Sequence, residues 1–424
     1  MNTYTHAVVC SCFYALSLTV TPALAADDEM DALSLESAPE VEPTAPRNIK
    51  WFAEGAWGSA SQRYLPDSRN IGRASIDFSY ASRLAPGWRA VVSDRLDYFE
   101  PALAGSDAAV NSLREAYLSW QPQGTDAVLE LGRINLRYGP AYGYNPTDFF
   151  RDGSLRVLTT ADPFALRENR LGTVMLRAQK LWSGGSFSLA YAPKLENQAS
   201  THGWNLDVGA TNNRNRALAV LGTEFSPKLS SQVLVYQENG QSATLGFNMT
   251  ALLSDAATAH LEFTRGSEPD LRSRALGGVA TDVTRNRFSG GVTYTTTSKL
   301  SLTAEYHYNG FALDQAGWTA LSATPGAPFI YLGEALRLQE IAPRQAYLLY
   351  LTQKDLGYKD LNLTAYLRLN PGDDSRLAWL ELRRHWANFD LSLQWQQNMG
   401  SVGSEFGLLP DRRVVQILGN YYFR

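Results

Sequence analysis

Leu300-Ser301-Leu302-Thr303-Ala304-Glu305-Tyr306-His307-Tyr308-Asn309 carries an apolar or aromatic side chain at every even position and a polar or charged one at every odd position. Strand side chains alternate faces, so this stretch reads as a β-strand with one oily and one wet face. Leu361-Asn362-Leu363-Thr364-Ala365-Tyr366-Leu367-Arg368-Leu369 repeats the pattern. So do Phe389 to Gln396, Ala74 to Tyr80 and Ala243 to Ala251. Several of these runs reach about ten residues, the length a tilted strand needs to cross a bilayer, whereas ordinary strands are nearer five or six.

Working outward from such runs, the chain divides from Asn48 to its end into about 18 segments, an even number as single-chain bacterial barrels require. The links between them alternate in length. Short ones fall at 84–87, 121–126, 182–186, 226–230, 254–257, 296–299, 353–359 and 386–388. The intervening links are often much longer, at 99–111, 139–169, 193–215, 266–286, 310–344 and 398–411, with 64–69, 237–242 and 370–375 as short members of that set. A soluble sandwich gives no reason for this order, while a membrane barrel has short turns at one rim and long loops at the other. Aromatic residues, among them Trp51, Trp57, Trp88, Tyr98, Trp120, Tyr138, Trp182, Tyr191, Tyr308 and Trp395, are expected at segment ends, where headgroup-level girdles form. The expected fold is all-β, a transmembrane antiparallel up-and-down barrel of 16–18 strands over residues 48–424.

The N-terminal region fits export. Residues Ala7 to Ala25 are apolar and end in Ala23-Leu24-Ala25, the small-x-small pattern of a signal peptidase site, which assigns residues 1–25 to a signal peptide. The segment ahead of it has His6 but no Lys or Arg. Both cysteines, Cys10 and Cys12, lie inside this signal, so residues 26–424 have no thiol chemistry. Residues 26–47 hold seven acids, one base and Pro39, Pro43 and Pro46, and read as a disordered periplasmic lead-in. The whole chain carries 38 basic and 42 acidic residues, and this balance argues against a nucleic-acid partner.

The final run, Val415 to Arg424, resembles the C-terminal signature of outer-membrane barrels through its alternation and near-terminal Phe423; Arg424 after the aromatic departs from it. Leu113-Arg114-Glu115-Ala116-Tyr117, Leu129-Glu130-Leu131-Gly132-Arg133 and Tyr142-Gly143-Tyr144-Asn145-Pro146-Thr147-Asp148 together resemble a pattern of porin-like proteobacterial families, the alginate-export-like porins among them. The resemblance implies a Gram-negative outer-membrane channel and names no substrate. It also implies that the loop after the fifth strand, 139–169, folds into the barrel as it does in trimeric general porins. Gly139, Gly143 and Gly153 permit tight turns there, and Pro140 and Pro146 stiffen the path.

Within that loop Asp148, Asp152, Glu168 and Arg151, Arg156, Arg167, Arg170 are the candidate constriction residues, because opposed charges across a narrowing select by size and charge. The alternative is a surface loop whose charges are solvated. Arg73, Asp77, Arg89, Arg95, Glu115, Arg133, Arg137 and Arg177 are candidate lumen-lining residues. They form either a basic track for anionic or sugar-like solutes or, more simply, an ion-paired polar lining. The pairs His260/Glu262 and Glu305/His307 share strand faces, yet two ligands fall short of a metal site, and no cofactor is expected. No local motif selects a serine for a hydrolase triad, so no enzyme is expected. The expected function is passive diffusion of small hydrophilic solutes. An export conduit for a polysaccharide, docking a periplasmic partner through residues 26–47, is the rival, and a structural or adhesive barrel a third reading. Expected partners are outer-membrane lipids, the barrel assembly machinery and other copies of the chain as a trimer.

Overall fold

The computed structural model describes residues 48–65, 67–102, 107–277 and 281–423. The expected signal (1–25) and acidic lead-in (26–47) lie outside the described residues. Among the described residues, eighteen strands form one antiparallel sheet in chain order. They are β1 (Ile49–Gln62), β2 (Ser68–Ala85), β3 (Trp88–Glu100), β4 (Ala109–Trp120), β5 (Ala127–Ile134), β6 (Thr173–Trp182), β7 (Gly185–Ala192), β8 (Arg216–Ser226) and β9 (Leu229–Glu238). The second half comprises β10 (Thr244–Ser254), β11 (Ala257–Pro269), β12 (Asp282–Thr295), β13 (Leu300–Asn309), β14 (Gln345–Gln353), β15 (Leu361–Asn370), β16 (Ser375–His385), β17 (Phe389–Met399) and β18 (Asp411–Tyr422). The barrel closes because β1 pairs on both edges, Glu54 lying opposite Ser75 of β2 and Asn420 of β18. Closure satisfies the strand edges internally, which a membrane demands. No helix among the described residues is long and apolar enough to cross a membrane.

The alternation is realised physically. Ile76, Leu131, Leu176, Leu189, Leu245, Leu393 and Ile417 point outward and stay exposed. Burying each is worth roughly 1.5–3 kcal/mol, so a wall of such residues is built for lipid rather than water. Aromatics gather at the short-turn rim: Trp51 stacks on Phe423 at 3.8 Å, Trp88 on Trp120 at 5.7 Å, and Trp386 lies 5.8 Å from Phe389. Three of the expected girdle residues sit elsewhere. Trp57 and Trp395 are mid-strand in β1 and β17, and Tyr138 follows β5 into the barrel interior.

The long-loop end adds five short helices among the described residues: α1 (Pro163–Glu168), α2 (Val208–Thr211), α3 (Leu271–Leu276), α4 (Gln315–Ser322) and α5 (Ala327–Leu338). Helices α3, α4 and α5 share an apolar core around Leu271, Leu321 and Tyr331. A second core lies inside the barrel itself, where Phe150 packs against Met175, Leu218, Leu234 and Tyr236 of the wall. A water-filled tube would not carry such a core. Its presence shows that a loop occupies part of the lumen.

Candidate constriction inside the barrel

The β5–β6 hairpin is short, and the chain between its strands, residues 135–172, turns inward. Two carboxylates on the far wall hold it there. Glu262 of β11, fully buried, accepts from Ala141 N at 2.8 Å, Asn145 Nδ2 at 2.9 Å, Thr147 Oγ1 at 2.8 Å and Thr147 N at 3.3 Å. Glu305 of β13 accepts from Tyr142 N at 2.7 Å and Gly143 N at 2.9 Å, and each of its oxygens meets a histidine Nε2, His260 at 2.7 Å and His307 at 2.8 Å. Buried carboxylates need such partners, and backbone amides of the loop supply several of them here. The close approach explains two glycines. A Cβ on Gly139 would fall onto the Glu262 carboxylate, at φ +93°, and one on Gly143 would sit 2.7 Å from His307 Cε1.

The Asn-Pro-Thr-Asp run is therefore a clasp. Asn145 and Thr147 grip Glu262, and Asn145 Nδ2 also donates to Ala141 O at 2.6 Å. Asp148 braces the returning strand of the loop, bonding Arg170 at 2.6 Å and lying 3.5 Å from Arg167. Arg167 also donates to the carbonyls of Tyr138 at 3.0 Å and Gly139 at 3.3 Å, tying the two limbs together. Farther along, Tyr366 OH of β15 donates to Ala161 O at 2.8 Å, and Phe164 packs edge-on to Tyr142 and Tyr350.

The other candidate charges are placed as follows. Arg151 pairs with Glu340, after α5, at 2.5 Å, and Arg287 approaches the same carboxylate at 3.1 Å. Burial opposes the Glu340 charge, but Arg151 and Arg287 overrule it and hold the group below the usual carboxylate range. Asp152 meets Arg214 and, at 2.8 Å, Arg337. Arg156 donates to the carbonyls of Asn111, His202 and Asn205, away from the lumen centre. Glu168 is exposed. Asp162, at the start of α1, is pushed up to about 6, mainly by burial and further by Glu381 nearby.

On the wall, Arg73, Asp77, Arg89, Arg95, Glu115 and Arg177 lie on inward faces, and Arg137 lines a polar cavity beneath the loop. Arg73 and Arg95 both bond Glu54 at 2.7 Å, and Arg95 also meets Asp97 at 3.0 Å. Arg114 clamps Asp77 at 2.6 Å and reaches the loop at Asn169 Oδ1, 2.9 Å away. Three acids thus meet three arginines, so this part of the wall is an ion-paired lining and not a free basic track. Arg177 pairs with Glu130 at 2.8 Å.

Arg133 corrects the sequence reading. It shares the outward face of β5 with exposed Leu131, because its cross-strand partner is Ala116. It is buried there by the β7–β8 loop, donating to Leu206 O at 2.7 Å and Leu113 O at 3.1 Å. That loop completes the wall above the short hairpin, bonding β4 through Asn111 N to Gly203 O at 2.8 Å and β6 through Asn212 and Val174. Conversely, period-two counting missed Arg114. A bulge opposite Ser93 and Asp94 leaves Arg114 unpaired in the β3–β4 ladder and brings both Arg114 and Glu115 inward.

Comparisons with known proteins agree with this geometry. No family model matches the chain, and no curated protein matches it in sequence. Among solved structures, Acinetobacter baumannii OccAB1 superposes with a TM-score of 0.56 at 10% identity, covering 89% of this chain and 96% of its own. The fold is that of an outer-membrane porin. Acinetobacter baumannii OccAB4 gives 0.54 at 9% identity, over 88% of this chain and 97% of its own. Pseudomonas aeruginosa OccK5 (OpdH) gives 0.51 at 10% identity, over 89% and 98%. At such identity the likeness speaks for the fold. This porin-fold chain is a closed β-barrel integral to the Gram-negative outer membrane.

Proposed function

We propose that this barrel is a channel for passive diffusion of small hydrophilic solutes, narrowed by residues 135–172. The supporting observation is the clamped loop with space on both sides of it. A cavity of about 170 Å³ opens above it, bordered by Arg167, Arg170 and Arg368, and one of about 460 Å³ lies below, bordered by Arg137, Glu224, Gln232 and Asn248. Arg167 bonds carbonyls of residues 138–141, which separate the two spaces, so Arg167 and its neighbour Glu168 are the proposed narrowest point. Asp162 faces Glu381 and Arg383 of β16, and Arg383 pairs with Glu381 at 2.8 Å. The loop acids Asp162 and Glu168 thus stand in the passage opposite a wall whose arginines, Arg383 among them, are ion-paired, and solutes are sorted there by size and charge.

Single-channel recording of the purified barrel in a planar bilayer tests the proposal. Steady open steps, with a defined reversal potential in a salt gradient, support it. A correctly folded barrel without conductance refutes it and favours a gated export conduit.

A further inference from the structure

A guanidinium stands on the lipid side of the wall at the short-turn rim. Arg384 follows Leu380 and Leu382 on the outward face of β16, and its cross-strand neighbours are Leu361 of β15 and the exposed Leu391 of β17. Two aromatic rings hold it. Arg384 Cζ lies 4.6 Å from the ring centroid of Tyr358, in the β14–β15 turn, and 5.5 Å from that of Trp386, in the β16–β17 turn. Both rings are at least half exposed, at the depth where Trp386 meets Phe389 in the aromatic girdle. The hydrogens of this guanidinium lack acceptors. Nη1 is enclosed 3.8 Å from Asp360 Oδ2 without a hydrogen bond, and no other N–H of the side chain bonds the described residues. The local charge is uneven as well. Asp355, the other acid of the turn, is taken by Lys299 at 2.6 Å, while exposed Lys359 has no ion pair among the described residues. Asp360 is thus the one uncommitted acid beside two cations. A cation bordered by lipid and short of acceptors is suited to the phosphate oxygens of a headgroup, which lie at this depth.

We propose that this corner of the barrel binds an anionic phospholipid of the periplasmic leaflet. Its phosphodiester bonds Arg384, Lys359 adds a second positive charge, and an acyl chain lies along Leu382, Leu391 and Leu393. The short turns of such a barrel face the periplasm, which places the site in that leaflet. The planar fork of Arg384 matches a phosphate, and the two rings fix its orientation, so little side-chain freedom is lost on binding. Inorganic phosphate would meet the same cations and leave the leucines without a chain. Phosphatidylcholine would bring chain and phosphate together with a compensating cation of its own. The site lies outside the lumen and does not depend on whether the barrel conducts.

The test is native mass spectrometry of the folded mature barrel in detergent, titrated with phosphatidylglycerol, phosphatidylcholine or inorganic phosphate. Phosphatidylglycerol is retained with a half-saturating concentration about tenfold below that of phosphatidylcholine, and inorganic phosphate does not displace it. Arg384→Gln raises that concentration about tenfold, the size of a lost charge-assisted bond. Trp386→Leu raises it about threefold through the lost ring face. Arg265→Gln, on the lipid side near the opposite rim, leaves it unchanged. Equal retention of phosphatidylcholine, displacement by inorganic phosphate, an unchanged half-saturating concentration in Arg384→Gln or an equal loss in Arg265→Gln overturns the site. Single-channel conductance is the same in wild type and Arg384→Gln, so failure of the lipid site leaves the channel reading standing.

Discussion

Replacing Glu262 by Ala removes the acceptor of four hydrogen bonds between β11 and the inward loop. Hydrogen bonds to a carboxyl group contribute about 1–3 kcal/mol each, or roughly 4–12 kcal/mol in all before the cost of burying the group is set against them. That cost is several kcal/mol. The net loss is therefore about 3–5 kcal/mol, most of it the cost of leaving buried donors unpaired at about 1–3 kcal/mol each. Two amides, one side-chain amide and one hydroxyl would then lie unpaired against an apolar methyl. The strand ladder itself is untouched, since Glu262 pairs with Ser289 and Asn248 through backbone only. The barrel should thus fold while residues 139–148 leave the wall. The assay is single-channel recording beside limited proteolysis. The expected result is a larger, noisier conductance and new cleavage between residues 139 and 160. A folded Glu262→Ala barrel with wild-type conductance, noise and protease resistance would refute the clamp.

Four further outcomes follow from the same geometry. Gly139→Ala should reproduce the Glu262→Ala phenotype in conductance recording, because the added methyl displaces the same carboxylate at a left-handed φ. Burial pushes Asp162 up to about 6 from the ordinary 3.8, so lowering the pH through 6 removes one negative charge from the passage; reversal potentials should shift toward anion permeation there, and Asp162→Asn, which keeps the helix cap, should abolish the shift. The raised value also means that Asp162 destabilises the folded loop progressively as pH rises from 3.8 through 6. Glu405, buried and pushed up to about 7, contributes stability to the β17–β18 loop that is lost as pH rises from 4.5 through 7; the hydrogen-exchange protection of residues 400–410, relative to the unfolded chain at each pH, should fall over that range in wild type and not in Glu405→Gln. Arg133→Ala should loosen residues 202–207 to protease by removing their tether, at a cost of about 1–3 kcal/mol, with conductance unchanged.

The strands and the alternation of turns with loops were legible in the sequence because their cause is local. A lipid-facing residue must be apolar wherever it stands, so period two survives without knowledge of neighbours, and Leu300 to Asn309 is β13 residue for residue. The inward course of the loop was legible only through resemblance, since nothing in residues 139–169 alone distinguishes an inward loop from a solvated one. Its clamps were not legible. Glu262 lies 121 residues from Ala141, and Glu305 lies 163 from Tyr142, distances that only the closed barrel collapses. The pairs His260/Glu262 and Glu305/His307 were visible as inward polar residues, and their role depends on amides from another part of the chain. Arg114 and Arg133 failed for opposite local reasons. A bulge shifted one inward, and the other kept its outward parity but was roofed by the β7–β8 loop. The charges assigned to a constriction proved mostly to be partnered within the protein, because a buried guanidinium or carboxylate needs a partner before it can meet a solute.

The central claim is that residues 135–172 narrow the barrel. Its most direct test compares single-channel conductance of the wild type with that of a variant in which residues 139–169 are replaced by a short Gly-Ser turn. Eighteen paired strands remain in that variant, so the barrel persists. A conductance several times larger, with charge selectivity diminished, is the predicted result. Equal conductance and equal selectivity in the two folded barrels would contradict the account.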